Sequence, residues 1–166
     1  FISLNNLQIT DALNTKVYQL QTISQNIPGM VYQVCLHPDG SFTLPYASDG
    51  CKDISGISAE EAMKDPKKLF DLIHSDDYEG VMRYIQYSAK HLLKFDIKFR
   101  NVIGEEIIWV HLTSTPEKLL NGTISWYGVQ LDITEQKLAE EKQKVIKNQF
   151  IEAQRLGKIG NWNWDL

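Results

Sequence analysis

The chain has 166 residues, of which 43% are hydrophobic and 23% are charged, which fits one globular domain with short extensions and not a disordered chain. Its net charge of −4 lacks the clustered excess of cations that non-specific nucleic-acid binding needs, so we expect no nucleic-acid partner. No apolar run approaches the roughly 18 residues of a membrane span, and residues 1–5 show neither an initiating Met nor a signal-peptide pattern, so we expect part of a longer cytoplasmic protein.

The first predicted element is a helix over about residues 3–26. Its apolar residues form a short seam at spacings of 4, 3 and 7, which is typical of a heptad. The pair Pro28-Gly29 ends the helix, because Pro disfavours helix in the residue before it. We expect residues 1–26 to serve as an N-terminal linker helix. The seam consists of Leu13, Val17, Leu20 and Ile27.

A β-hairpin is predicted next. Residues 30–36 are rich in strand formers, and the turn His37-Pro38-Asp39-Gly40 leads to a return strand over residues 41–47. Pro45 lies within that return strand, which fits an edge position or a strand end.

Residues 48–91 are predicted to contain three helices. The first begins at Ser58, which an acid follows three residues later, as in a capping box. The second carries Pro66 in its first turn. The third and longest opens with Ile73-His74-Ser75-Asp76-Asp77, where the acidic side chains complement the helix dipole.

The rest of the sheet is predicted as a meander of three strands. Phe95, Ile97 and Phe99 alternate with charged residues, so one face of this strand should lie on a core and the other in water. Residues 101–104 form the predicted turn, and a long strand follows over residues 105–115.

The last predicted strand covers residues 123–133, after the hairpin signal Asn121-Gly122. It passes, without Gly or Pro, directly into a charged run of helix formers. Thr134 stands where this helix needs an N-cap, with Lys137 where a capping box would have an acid. The apolar residues that share one side of the strand are Tyr127, Val129, Leu131 and Ile133.

The helix after residue 134 has a partial coiled-coil pattern. Two apolar sets recur at spacings of seven or eleven, although Lys142, Lys144 and Gln149 occupy neighbouring core-like positions. We expect residues 135–157 to form a C-terminal linker helix that pairs with a second copy of the chain. The sets are Leu138, Val145 and Leu156, and Ala139, Ile146 and Ala153, with Phe150 between them.

Three motifs together resemble the PAS fold family over about residues 24–137. Ile73-His74-Ser75-Asp76-Asp77 resembles the family's I-H-P-D-D helix opening, with Ser in place of Pro. Residues 106–110, EIIWV, are similar to the tryptophan-bearing fourth strand of one subgroup, and residues 128–137, GVQLDITEQK, to that subgroup's ending. The resemblance implies an α+β fold with a PAS domain over residues 27–134. It comprises a five-stranded antiparallel sheet with short helices inserted after strand 2, flanked by linker helices.

The C-terminal residues repeat the start of this domain. Residues 159–166, IGNWNWDL, align with residues 27–34, and large apolar residues coincide at three alternating positions. Residues 158–166 therefore resemble the start of a second PAS domain. An amphipathic tail that docks on the first domain is the alternative.

The sequence shows no catalytic constellation. It lacks a Gly-rich phosphate loop, a metal-ligand cluster and a Ser-His-Asp arrangement at readable spacing, so an enzyme of small α+β type has no site to support it. His37 and His74 fit capping or solvated positions. Cys35 and Cys51 match no metal spacing, and reduced, buried thiols explain them more simply than a redox pair.

PAS domains often hold a small ligand between the sheet and the helices, so the resemblance implies a cavity; a plain core is the alternative. His91 is the candidate haem ligand, but a histidine at a helix end already has an electrostatic role, which disfavours haem. A flavin adduct is also disfavoured, because the N-C-R-F-L-Q type of motif is absent and Cys51 does not replace it. The expected lining residues are Tyr32, Val34, Tyr84, Tyr87, His91, Phe95, Ile97 and Val129.

The resemblance implies a sensory and dimerisation module of a cytoplasmic signalling protein. The family most often precedes a histidine kinase, and next a cyclic-dinucleotide cyclase. In the family, residues matching Asp132, Ile133 and Thr134 couple the sheet to the output helix. The expected partners are a small-molecule ligand, a second copy and adjacent PAS or kinase domains of the same protein. A ligand-free interaction module with a filled core is the alternative.

Overall fold

The computed structural model describes residues 2–160, and the chain divides into two units, one ending at Asp132 and the other beginning at Ile133. Of the predicted start of a second domain, residues 158–160 belong to the last helix and residues 161–166 lie outside the described residues. The first unit contains α1 (Ile2–Gln25), β1 (Met30–Leu36), β2 (Phe42–Ala47), α2 (Gly50–Ser55), α3 (Ala59–Lys64), α4 (Lys67–Phe70), α5 (Ser75–His91), β3 (Phe95–Ile103), β4 (Glu106–Lys118) and β5 (Ile124–Asp132); the second contains α6 (Thr134–Gly160).

The five strands form one antiparallel sheet in the order β2-β1-β5-β4-β3. Helices α2 to α5 follow β2 and precede β3 in the chain. Helix α2 packs beside β1, α3 beside β2 and α5 against β3, so these helices and one face of the sheet enclose the core. The arrangement confirms the predicted α+β class, with helices inserted after the second strand.

Strand alternation decides which side chains enter this core. Phe95 and Phe99 of β3 are buried, whereas Asp96 and Lys98 between them are exposed, as the period of two predicts. Val110 of the neighbouring strand β4 pairs with Phe99 and is fully buried.

The turns and edges of the sheet follow the turn residues. Strand β2 lies at an edge, where one side of the strand has no ladder, and this confirms the position predicted for Pro45. The β4–β5 connection is the hairpin predicted from Asn121-Gly122. Leu119 N donates to Thr123 O over 2.8 Å, and Gly122 takes a φ of 84° that favours glycine.

The turn between β3 and β4 lies later than predicted. Strand β3 continues to Ile103, which pairs with Glu106, so the turn consists of Gly104 and Glu105. The prediction of a turn over residues 101–104 is therefore wrong, because Gly104 alone supplies the left-handed conformation, with a φ of 62°. Asn101 belongs to the strand.

Helix starts largely follow the predicted caps. Ser58 Oγ accepts from Glu61 N, and Ser58 N donates back to the Glu61 carboxylate, which completes the capping box of α3. His74 Nδ1 accepts from Asp76 N over 3.2 Å and so caps α5. Pro66 occupies the N-cap of α4, one residue before its predicted place. Helix α2 was not predicted separately, because six residues are too few to show a helical apolar repeat.

Candidate functional site

A cavity of about 90 Å³ lies between the inner face of the sheet and helices α4 and α5. All five strands contribute side chains to its wall, because alternate residues of each strand point to the same face. Helix α4, the residues that flank it, and α5 close the other side. The lining residues are Met30, Tyr32, Val34, Phe42, Leu44, Pro66, Leu69, Phe70, Ile73, Val81, Ile85, Phe95, Phe99, Asn101, Leu112, Ser114, Trp126 and Gln130.

The wall of the cavity is uncharged and mainly apolar. Its polar side chains are Tyr32, Asn101, Ser114 and Gln130, one each from β1, β3, β4 and β5. Burying a charge in such surroundings costs far more free energy than burying a neutral hydroxyl or amide, so the wall favours a neutral occupant. The cavity is smaller than the roughly 150 Å³ site that accepts benzene. An occupant of this state therefore has only a few heavy atoms.

Tyr32 and Ser114 lie on either side of Gly128 on the inner face of the sheet, and both line the cavity. Gly128 pairs with Tyr32 on one side and with Ser114 on the other. A Cβ at Gly128 would lie 2.5 Å from Ser114 Cβ and 2.2 Å from Thr113 O, so only glycine allows β4 and β5 to approach this closely. Burial raises the pKa of the Tyr32 hydroxyl, and the nearby Ser114 side chain lowers it by less, so the hydroxyl stays neutral.

Trp126 ties strand β5 to the end of α5. Its indole Nε1 donates to Ser88 Oγ over 2.9 Å, and Ser88 Oγ donates to the Leu93 carbonyl over 2.6 Å. Trp126 and Ser88 are both buried, so removing either would leave a polar group unpaired in the core. A strand that lines the cavity is thus held to a helix that covers it.

Asn101 is a buried polar side chain of the wall. It is 3% exposed, and its Oδ1 has no hydrogen-bond partner in the described part of the chain. A buried acceptor without a partner costs about 1–3 kcal/mol. The backbone holds Asn101 in place, because Ile73 forms a bridge with it and His74 N donates to Arg100 O over 2.9 Å.

Three residues of the predicted lining, Tyr32, Val34 and Phe95, do line the cavity. Tyr84 packs in the core beside them, with its ring centroid 4.8 Å from that of Phe95. Ile97 is partly buried against the same core without lining the cavity.

Tyr87, His91 and Val129 lie away from the cavity. Tyr87 and His91 are exposed on α5, and their ring centroids are 4.5 Å apart. Val129 lies on the other face of the sheet, because Trp126 and Gln130 occupy the inner positions of β5. Val129 and the apolar residues that share its side of the strand therefore belong to the outer face of a central strand.

The sequence patterns do not predict Asn101 and Gln130 as lining residues. A signal was present, because Asn101 continues the inward series of Phe95 and Phe99, and Gln130 continues that of Trp126. Both side chains are polar, and the sequence predicts residue 101 in a turn, so the alternation alone does not identify them as residues that face the cavity.

Strand β5 leads into α6 with a single residue between them. The strand ends at Asp132, and the helix begins at Thr134. The first helical hydrogen bond runs from Lys137 N to Ile133 O over 2.9 Å, so Ile133 occupies the N-cap position. The prediction of Thr134 as the N-cap is wrong by one residue.

Other chemistry has little support in the described residues. Among residues 2–160, no group of three or more His, Cys, Asp or Glu side chains could hold a metal ion. No helix in that part of the chain has the length and hydropathy that crossing a membrane requires. Cys35 and Cys51 are buried free thiols, and burial raises the pKa of Cys51, which disfavours a reactive thiolate.

Comparison with known proteins agrees with this architecture. A family model described as the PAS fold matches residues 44–130, more than half of the chain. A sensory box histidine kinase/response regulator from Burkholderia thailandensis E264 is similar in structure, with 19% sequence identity and a TM-score of 0.54, over 74% of this chain and 91% of that chain.

Two further solved structures are similar. The PAS domain of a protein from Colwellia psychrerythraea gives 17% identity and a TM-score of 0.55, over 73% of this chain and 98% of that one. The N-terminal domain of a diguanylate cyclase with PAS/PAC sensor from Marinobacter aquaeolei gives 12% identity and a TM-score of 0.53, over 64% and 98%. No curated protein sequence matches the chain. At these identities the structural likenesses show the fold.

Proposed function

The chain belongs to the PAS fold family, and from this premise we propose that it is a sensory and dimerisation module of a cytoplasmic signal-transduction protein. Its input would be a small molecule or a protein partner, and its output the next module of the same protein. The proposed sensor covers residues 27–134. Linker helices at residues 1–26 and 135–157 flank it, and a second PAS domain starts at residue 158.

The observation that carries this proposal is the course of β5. Trp126 and Gln130 of this strand line the cavity, and Asp132 ends the strand. Helix α6 follows after one residue. An occupant that shifts β5 therefore acts on the strand that continues into the outgoing helix. Asp132, Ile133 and Thr134 are the proposed relay.

The proposed output is a histidine kinase, and a cyclic-dinucleotide cyclase is the alternative. The likeness to a sensory box histidine kinase supports the first, and the likeness to the sensor of a diguanylate cyclase supports the second. The same sensor fold is used with many different output domains. The catalytic residues of a histidine kinase or of a cyclase would therefore lie in the output domain, outside the sensor. The proposed partners are a second copy of the chain and adjacent PAS or kinase domains.

A ligand-free interaction module is the second candidate. The small volume of the cavity, about 90 Å³, favours it. Drug-sized ligands occupy pockets of roughly 300–1,000 Å³, so a ligand of that size would require the helices to move.

A substitution that partly fills the cavity tests the relay. Val34→Leu adds one methylene to the wall at the residue that pairs with Trp126 of β5. We expect amide hydrogen exchange to change over residues 124–132 and in the first turns of α6. In a Val34→Leu variant that also carries Thr134→Val, the exchange change in α6 should disappear while the change in β5 remains. The double variant with Thr134→Ser, which keeps the hydroxyl group, should show both changes.

The matched control is Val102→Leu, which adds the same methylene to a half-buried valine of β3 outside the cavity lining. It should leave exchange in α6 unchanged. A change confined to β5 after Val34→Leu would refute the relay, and equal effects of the two substitutions on α6 would refute a cavity-specific signal.

A further inference from the structure

We propose that Asn121 is a site of spontaneous covalent modification, at which the side-chain amide is lost and an aspartyl or isoaspartyl residue forms. The hydrogen bonds of the β4–β5 hairpin hold this reaction back in the folded chain. The modification needs neither a ligand nor an output domain, so it goes beyond the proposed sensory function.

The first observation is that glycine follows Asn121. Asn121-Gly122 is the one Asn-Gly pair in the sequence, and its asparagine is exposed. After every other asparagine of the chain, the side chain of the following residue crowds the backbone nitrogen. Gly122 has no Cβ, so its nitrogen can approach the asparagine side chain without that obstruction. Exposure also lets water and hydroxide reach the amide.

The reaction proceeds through a cyclic imide. The backbone nitrogen of Gly122 loses its proton to hydroxide and attacks Cγ of Asn121. The new N–Cγ bond forms and the C–N bond of the side-chain amide breaks, so the amide nitrogen takes up a proton and leaves as ammonia. Water then adds to either carbonyl of the imide and breaks the adjoining ring C–N bond. Opening at one carbonyl gives aspartate, and opening at the other gives isoaspartate, in which the main chain runs through the side-chain carbon.

The fold engages both reacting groups. Asn121 Oδ1 accepts a hydrogen bond from Thr123 N over 3.0 Å, which fixes the side chain that would be attacked. Gly122 N donates to Leu119 O over 3.0 Å, so the attacking nitrogen directs its N–H across the turn. Both bonds must break, because the nitrogen has to give up this proton and the side chain has to turn towards it. The rate in the folded chain is therefore the rate in the open chain multiplied by the open fraction.

A histidine of the β1–β2 hairpin braces the same residues. His37 Nδ1 lies 3.3 Å from Thr123 Oγ1 and His37 Nε2 lies 2.8 Å from Thr43 Oγ1, so the ring joins the β4–β5 hairpin to strand β2. Thr123 is 2% exposed, and its backbone N–H is the group that fixes Asn121. Because movement of Thr123 would release Asn121, we expect loss of the His37 ring to raise the open fraction.

The test compares the chain in native buffer with the chain in guanidinium chloride, at the same mildly alkaline pH and the same temperature. Peptide mapping by mass spectrometry measures deamidation at each asparagine, and chromatography separates the aspartyl from the isoaspartyl peptide. We expect Asn121 to react at least about tenfold faster in denaturant than in the native chain, because opening is no longer required. In denaturant it should also react faster than Asn148, which is exposed on α6 but is followed by Gln149.

His37→Ala should raise the native rate at Asn121 by about two- to tenfold, the value of one hydrogen bond, and leave the rate in denaturant unchanged. The matched control is His91→Ala, which removes an exposed ring from α5 and should change neither rate. Should His37→Ala not fold, Thr43→Val, which removes the hydroxyl at the other end of the ring, tests the same brace.

Equal rates at Asn121 and Asn148 in denaturant would overturn the modification site. Equal native and denatured rates at Asn121 would overturn its control by the hairpin. A native rate that neither His37→Ala nor Thr43→Val changes would refute the brace.

Discussion

The carboxylate of Asp77 accepts three hydrogen bonds from Arg100, from its backbone N at 2.9 Å, Nε at 2.9 Å and Nη2 at 2.7 Å. The sequence predicts the same dipole role for Asp76, its neighbour, but that side chain is 72% exposed and approaches Arg100 no closer than 3.7 Å. Asp77 therefore ties the start of α5 to β3 beside Asn101. These hydrogen bonds hold the pKa of Asp77 below its usual range.

Asp77→Asn should reduce the free energy of unfolding at pH 7 by about 1–2 kcal/mol, because hydrogen bonds to charged groups are worth about 1.5–3 kcal/mol and partial exposure weakens them. The folded-state pKa lies below that of the unfolded chain, near 4, so the contribution is present above that pH. It disappears as the pH falls through the folded-state pKa. Urea unfolding at a series of pH values measures both effects.

The neighbouring Asp76→Asn is the control, since it removes one carboxylate from the same helix turn. It should change stability by only a few tenths of a kcal/mol, the value of an exposed charge near a helix start. A similar loss for both variants would mean that the helix dipole, and not Arg100, accounts for the role of Asp77.

At the scale of elements, the spacing between β4 and β5 depends on Gly128. The backbone of β4 lies so close that a methyl group on Gly128 would overlap Thr113 O and Ser114 Cβ. Neither can move without displacing a strand that is paired on both sides. Without a side chain at Gly128, the inner face of β5 is open between its two paired residues, Tyr32 and Ser114.

Gly128→Ala should reduce the free energy of unfolding by about 1–3 kcal/mol, the usual range for overpacking a tight core. Gly80→Ala is the matched control, because Gly80 lies within α5 with no heavy atom within 4 Å of an added Cβ. It should raise stability by about 0.5–1 kcal/mol, since alanine favours helix over glycine. Urea unfolding monitored by circular dichroism measures both, and a neutral Gly128→Ala would contradict the crowding.

The elements that could be predicted from sequence are those with strong local signals. The hairpin at Asn121-Gly122, the capping box at Ser58 and the β3 alternation each have a local physical cause, and the structure confirms them. The inner face of β5 has a weaker signal, because a central strand carries apolar residues such as Val129 on its outer face as well.

The cavity was harder to predict than the fold, because it depends on which side chains fail to fill a space. Gly128 contributes to it through the close approach of β5 to β4, and a single glycine has no periodic pattern. Large aromatic residues such as Tyr87 suggest a lining from composition, but the start and register of α5 expose that residue.

At the scale of the whole molecule, the second unit has several apolar residues that are exposed in a single chain. Leu138, Ile146, Phe150 and Leu156 of α6 are more than half exposed. Such residues on a long helix would be unfavourable in water without a partner. The seven-residue spacings of Leu138 with Val145 and of Ile146 with Ala153 favour a second copy of the same helix, which is the dimer proposed for the linker.

Ile146→Glu should weaken this dimer by at least about tenfold, because burying one isoleucine contributes about 1.5–3 kcal/mol and two glutamates would face each other at the seam. Sedimentation equilibrium of the chain over a concentration series measures the association constant. Asn148→Glu introduces the same side chain two residues away, where a helix points to the opposite side, and should leave association within about twofold. A monomeric wild-type chain, or equal weakening by both substitutions, would place the apolar residues of α6 against another partner. If two copies of α6 pair as proposed, the β5 strand of each chain continues into one helix of the pair. A signal from either cavity then reaches both copies.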